Sequence, residues 1–152
     1  MAHKQKGAAL VEFALILPLL LALTFITTEY ARAIFQYNSL TKSVRNAARY
    51  LSTQGSTFNS TTADIAKNIA VYGRPAASGT PLAPGLDKAT HIPDSNIIYN
   101  NAGAAPTVRI VTVRISGYRF RSMFGGGFGL TFSLPLGDIN FENIQATMRV
   151  IS

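Results

Sequence analysis

From Ala8 to Thr28 the sequence carries a single charged residue, Glu12. At about 1.5 Å per residue, a helix over this stretch reaches roughly 31 Å, matching a hydrocarbon core of about 30 Å. A chain of 152 residues that commits such a segment to a bilayer keeps enough for one small domain with a modest core. A large multidomain enzyme is excluded. Glu12 is the exception inside the run. A charge at that depth costs on the order of 3 kcal/mol on insertion scales, so it calls for a cation or a proton as partner.

The same stretch can be read as a secretory signal peptide, with His3, Lys4 and Lys6 as a basic start and Ala31-Arg32-Ala33 as a small-x-small cleavage site. Its length exceeds the usual apolar region of about 7–15 residues, and a carboxylate in the first turns serves no purpose there. Orientation does not follow from charge. Lys4 and Lys6 on one side face Arg32, Lys42 and Arg45 on the other, within the roughly 20 residues that count for topology. Pro18 lies mid-run and removes one helical hydrogen bond, which predicts a kink or local unwinding near Ala14 to Pro18.

The string Lys6-Gly7-Ala8-Ala9-Leu10-Val11-Glu12-Phe13-Ala14-Leu15-Ile16-Leu17-Pro18 resembles the N-terminus of the TadE-like minor pilins, or pseudopilins, of the tight-adherence (Tad, type IVc) pilus. A Gly with Glu at the fifth position after it is also similar to the prepilin peptidase site of type IV pilins. The resemblance implies a processing site between Gly7 and Ala8, with residues 1–7 as a cytoplasmic leader. It implies that Glu12, with Phe13 beside it, is an assembly contact, the carboxylate meeting the new N-terminal amine of the same or a neighbouring subunit. It places the chain in a bacterial inner membrane with its head outside. The implied partners are the membrane, a prepilin peptidase, the major pilin and other minor pilins, and the pilus assembly platform with its ATPase. Helix association in lipid rests on close packing and polar pairing, so Ala8, Ala9, Ala14 and Ala22, with Pro18, are the expected packing positions.

The helix is expected to continue past the bilayer. Ile26, Tyr30, Ala33, Ile34, Tyr37, Thr41, Val44, Ala48 and Leu51 recur at three and four residues, opposite Arg32, Asn38, Lys42, Arg45 and Arg49. That pattern predicts an amphipathic stalk over 29–54 that ends near Thr53, before Gly55, and needs a sheet to pack on. A second helix is predicted from Thr62 or Ala63 to Tyr72, with Thr62 or Thr61 as cap and Gly73 past its end. Residues 73–106, rich in Pro and Gly, read as a loop broken by the strand-like Ile97-Ile98-Tyr99. From Val108 alternation predicts a long strand through Phe120, then Leu130–Leu134 after the glycines 125–129, then a strand from Ile144 to Val150. The fold class predicted is α+β, a long helix packed on a small antiparallel sheet of about three to four strands. The Thr112–Phe120 and Gln145–Arg149 segments are again similar to the TadE-like pattern.

Fourteen Lys and Arg against seven Asp and Glu give a net charge of +7. The basic residues are scattered singly, with no nucleic-acid-binding signature, so the charge fits solubility and attraction to a membrane surface. There is no Cys, which removes disulfides, zinc thiolates and thiol catalysis together. The glycines 125–129 are followed by no Lys-Ser or Lys-Thr, so they are a hairpin tip rather than a phosphate loop. His3 and His91 and the dispersed carboxylates offer no metal-ligand spacing and no acid/base pair, and His91 reads as a loop residue. No catalytic, cofactor or metal residue and no small-molecule substrate is assigned. Asn59-Ser60-Thr61 matches a glycosylation sequon, a pattern common by chance. Two readings follow: a structural protein for pilus assembly and surface adherence, or a signal-anchored or secreted small β-rich binding module using loop 73–106 or the glycine tip.

Overall fold

The computed structural model describes residues 4–55, 59–103, 108–123 and 138–151, with backbone alone for 4–6. The glycines 125–129 and Leu130–Leu134 lie outside the described residues. Helix α1 runs from Lys4 to Thr53 with Pro18 inside it, and the helix passes through Ala14–Pro18 without the expected unwinding. The chain divides into two compact units, Met1–Ala33 with Arg121–Asp138, and Ile34–Phe120 with Ile139–Ser152.

The second unit holds the α+β core. The part of α1 in this unit buries Leu40, Val44, Ala47, Ala48 and Leu51 against the residues of a second helix and a sheet. The buried stripe differs from the predicted one. Ile34 and Tyr37 are exposed and Thr41 is half-buried, while Gln36, Ser43 and Ala47 turn inward. The prediction followed the spacing of apolar residues, which does not register how closely the next packed layer approaches each position. Ser43 Oγ donates to the Leu40 carbonyl at 2.8 Å, so its hydroxyl enters the core satisfied. Asn38, Lys42, Arg45 and Arg49 occupy the exposed face, as expected.

Helix α2 spans Ser60–Tyr72, beginning ahead of the predicted start. Its cap is Asn59, not Thr61 or Thr62. Asn59 Oδ1 accepts from the Thr62 amide at 2.8 Å, and the Asn59 amide donates to Thr62 Oγ1 at 3.1 Å. Thr62 is therefore the returning half of a capping box. Gly73 closes the helix at φ 71°, where an L side chain is strained, and donates to the Ile69 carbonyl at 2.9 Å.

The stretch after Gly73 is packed more closely than its composition implies. It contains a short helix α3, Lys88–His91, and a 3₁₀ turn, Asp94–Asn96, and it buries Ala83, Leu86 and Ile92 in the common core. His91 therefore ends a helix, and its ring meets Tyr118 edge-on at 5.7 Å. Lys67 of α2 pairs with Asp94, and Lys88 Nζ lies 3.4 Å from Asp64 Oδ1, so opposite charges hold this stretch to α2.

Strands β1 (Ile97–Ala102), β2 (Val108–Ile115) and β5 (Ile144–Arg149) form an antiparallel sheet in the order β1-β2-β5. Val111, Val113 and Ile115 point into the core. On the other face, Thr112 and Thr147 share a 2.8 Å hydrogen bond and Arg114 Nε donates to Gln145 Oε1. The single strand expected through Phe120 is two. Gly117, at φ 69°, turns the chain into β3 (Arg119–Phe120), which pairs with β4 (Ile139–Asn140) in a separate two-stranded sheet. Tyr118 in this turn is buried, with its hydroxyl 3.1 Å from both Gln36 Oε1 and the Pro84 carbonyl oxygen. The Ile151 amide donates to the Ser52 carbonyl at 2.9 Å, tying the end of the chain to the end of α1.

Replacing the cap tests the helix start directly. Asn59→Ala is expected to lower unfolding stability by about 1 kcal/mol and Asn59→Gly by only a few tenths. Denaturant unfolding of the intact protein in detergent measures both.

Candidate functional site

Every side chain from Gly7 to Leu21 is exposed, and Ala22 is half-buried. In a water-soluble chain this would be a large unfavourable surface; in lipid it is the matched one. Backbone polar groups cannot reach water in a bilayer core, and a helix answers that by bonding them internally. The threonines near the end of the run do likewise. Thr24, Thr27 and Thr28 hydroxyls donate to the carbonyls of Leu20, Leu23 and Thr24 at 2.8–2.9 Å. The helix is long and apolar enough to cross a membrane.

The predicted site residues do not converge on one point. Residues four apart lie one above the other on a helix, so Ala8 with Glu12, Ala9 with Phe13, and Ala14 with Pro18 and Ala22 form three separate rows. Gly7 and Ala8 are both exposed on the helix. Phe13 is 56 % exposed, and among the described residues Glu12 forms no ion pair. The arrangement is a helix with exposed surface on every side, carrying one carboxylate at one end of its apolar run.

A second carboxylate, to which the sequence reading gave no role, is fully engaged. Glu29 follows the apolar run directly and is 3 % exposed. Arg32, one turn on, grips it with Nε to Oε2 at 3.0 Å and Nη2 to Oε1 at 2.6 Å. The Met123 amide also donates to Glu29 Oε1, at 2.6 Å, and Arg32 Nη2 donates to the Arg121 carbonyl at 2.6 Å. The pair thus fastens the backbone of 121–123 to α1 within the first unit. The Arg32 guanidinium holds the Glu29 carboxyl below the ordinary carboxylate range; burial opposes it, and the Met123 amide and the Ser122 hydroxyl add to the lowering. The i,i+3 spacing of Glu29 and Arg32 was visible in the sequence, but the backbone partners ninety residues away were not.

In the second unit, Tyr99, Asn100, Asn101, Arg109 and Ile110 line a shallow, open cleft of about 520 Å³. Among the described residues no three His, Asp or Glu side chains gather in a metal-binding group.

A carboxylate whose pKa is lowered on folding stabilises the fold above its unfolded value, about 4.3, and that contribution is lost as pH falls through the lowered value. The hydrogen-exchange protection factor of the Met123 amide is therefore expected to hold above about pH 5 and to drop on acidification. Glu29→Ala should reduce it by about 10-fold or more at neutral pH, since hydrogen bonds to charged groups contribute roughly 1.5–3 kcal/mol.

No curated protein and no solved structure matches the chain significantly. Residues 7–49, which contain the apolar run, Glu12 and the Glu29–Arg32 pair, match the family model of the TadE-like proteins, a structural family associated with the Tad pilus system rather than an enzymatic one. Over that segment the chain is similar to the TadE-like proteins, a finding consistent with a TadE-like protein of the Tad pilus system.

Proposed function

We propose that the protein is a minor pilin of the Tad, or type IVc, pilus that acts by assembly and supports surface adherence. The observation that carries this reading is Glu12, exposed on an apolar helix at the fifth position after Gly7, inside the segment that matches the family. On this reading residues 1–7 are a cytoplasmic leader, 8–28 the transmembrane part, 29–54 the stalk and 55–152 the extracytoplasmic head, with the protein a single-pass component of the bacterial inner membrane at the base of, or within, the pilus.

A prepilin peptidase cuts between Gly7 and Ala8, and the new amine at Ala8 becomes the cation for Glu12. Ala8 and Glu12 share a row, so within one helix the two charges lie one turn apart, and in a neighbour they meet across the contact. In a low-dielectric surrounding an unpaired carboxylate is costly, so two helices that satisfy it together gain by associating. Phe13 and the small residues Ala9, Ala14 and Ala22, with Pro18, then shape the packing against the major pilin and other minor pilins. The assembly platform and its ATPase are the machinery this role requires.

Co-expression with a prepilin peptidase, followed by mass analysis of the N-terminus, tests the processing step. A product starting at Ala8 is expected. One starting at Ile34 would instead identify a secreted protein, and an uncut chain a plain anchor. Glu12→Leu should still insert in the membrane but assemble poorly, and normal assembly of that variant would refute the pairing role.

A further inference from the structure

The Glu29–Arg32 pair has a position as well as a strength. These residues occupy about the first 6 Å of helix beyond the apolar run, and the polar layer on each side of a bilayer core is about 5–8 Å deep. The backbone fastened to the pair is therefore held at the level of one membrane interface. Met123 contributes its amide to Glu29, yet its own side chain is 75 % exposed. Tyr30, on α1 beside the pair, is 63 % exposed, and tyrosine is a residue type enriched at this depth. The composition around Met123 points the same way. Between Arg121 and Asp138 the sequence has no charged residue, and it includes Phe124, Phe128, Leu130, Phe132, Leu134 and Leu136.

We propose that Arg121–Met123 gives the protein a second contact with the bilayer, in which the Glu29–Arg32 pair sets the depth of the backbone and Met123 enters the boundary between lipid headgroups and acyl chains. The inference rests on the membrane reading of α1. The chemistry of the partner follows from the level at which the contact is held: the medium beside Thr28 and Tyr30 is lipid, and an uncharged thioether gains there what it would lose in water. Glu29 and Arg32 are positioning residues in this arrangement. Their charges are satisfied by each other and by backbone groups, so the pair enters the interfacial layer without an unpaired carboxylate.

The absence of native Cys permits single-site labelling of the full chain. Met123→Cys carrying a bimane fluorophore is reconstituted in phosphatidylethanolamine–phosphatidylglycerol vesicles that contain headgroup-proximal spin-labelled lipid. Leu20→Cys, Tyr30→Cys and Gln145→Cys serve as references for the span, the interface and the head. Quenching at position 123 is expected to equal that at position 30. It should fall to the level of position 145 when Glu29→Ala is added, while quenching at position 20 by acyl-chain spin label is unchanged. Quenching at 123 no greater than at 145 in the unaltered background would overturn the proposal. Persistence of full quenching in the Glu29→Ala background would overturn the positioning role. A label at 123 shielded from both the lipid quencher and aqueous iodide would identify a protein cover, such as a second copy of the chain, and likewise overturn it. Failure of quenching at position 20 would overturn the membrane reading itself, and the second contact with it.

Discussion

One helix in this protein carries two kinds of surface. From Gly7 to Leu21 the side chains of α1 are exposed, whereas from Leu40 to Leu51 they form one wall of the α+β core. A helix can do both because its backbone bonding is internal and indifferent to what lies outside. Only the side chains need to change with the medium. The apolar run has large apolar residues on all sides; the core segment uses a stripe of Leu, Val and Ala, with Lys42, Arg45 and Arg49 on the reverse.

The two carboxylates of the first unit show the same constraint resolved in different ways. Glu29 is satisfied within the chain, by a guanidinium and a backbone amide, so the cost of burying it is offset and its proton affinity is depressed. Glu12 forms no ion pair among the described residues. A charge satisfied internally fixes a fold, whereas one left for another group to satisfy favours association. This contrast, rather than the presence of acidic residues as such, separates a structural role at Glu29 from the proposed assembly role at Glu12.

What was legible in the sequence was local. The extent of α1, the stop of α2 at Gly73 and the alternation of Val111, Val113 and Ile115 each depend on neighbours within a few residues, and the structure contains all three. What was missed was either rotational or non-local. The buried stripe of α1 shifted toward Gln36 and Ala47 because periodicity counts apolar residues without knowing how closely the next layer approaches. Strand β1 was seen as three strand-like residues, but its full length is set by pairing with β2 through Ala102↔Val108. Asn59 was passed over as a cap because the helix was started at Thr62 or Ala63, past Ser60 where it begins, although Asn is among the strongest N-cap residues. In the candidate site, Gly7, Ala8 and Glu12 were legible as a motif, while Glu29 was not, since Arg121 and Met123 meet it only after the chain has folded back.

The bond from the Ile151 amide to the Ser52 carbonyl, together with the place of β5 beside β2, has a consequence for the order in which the molecule is made. Chains grow from the N-terminus, and contacts between distant residues must wait for the later partner to exist. The apolar run is therefore made well before the sheet of the second unit is complete, which lacks β5 until residues 144–149 have been added. Ile144 and Val150 follow the other buried residues of that core in chain order. A chain cut short of Ile144 leaves β2 with an open edge.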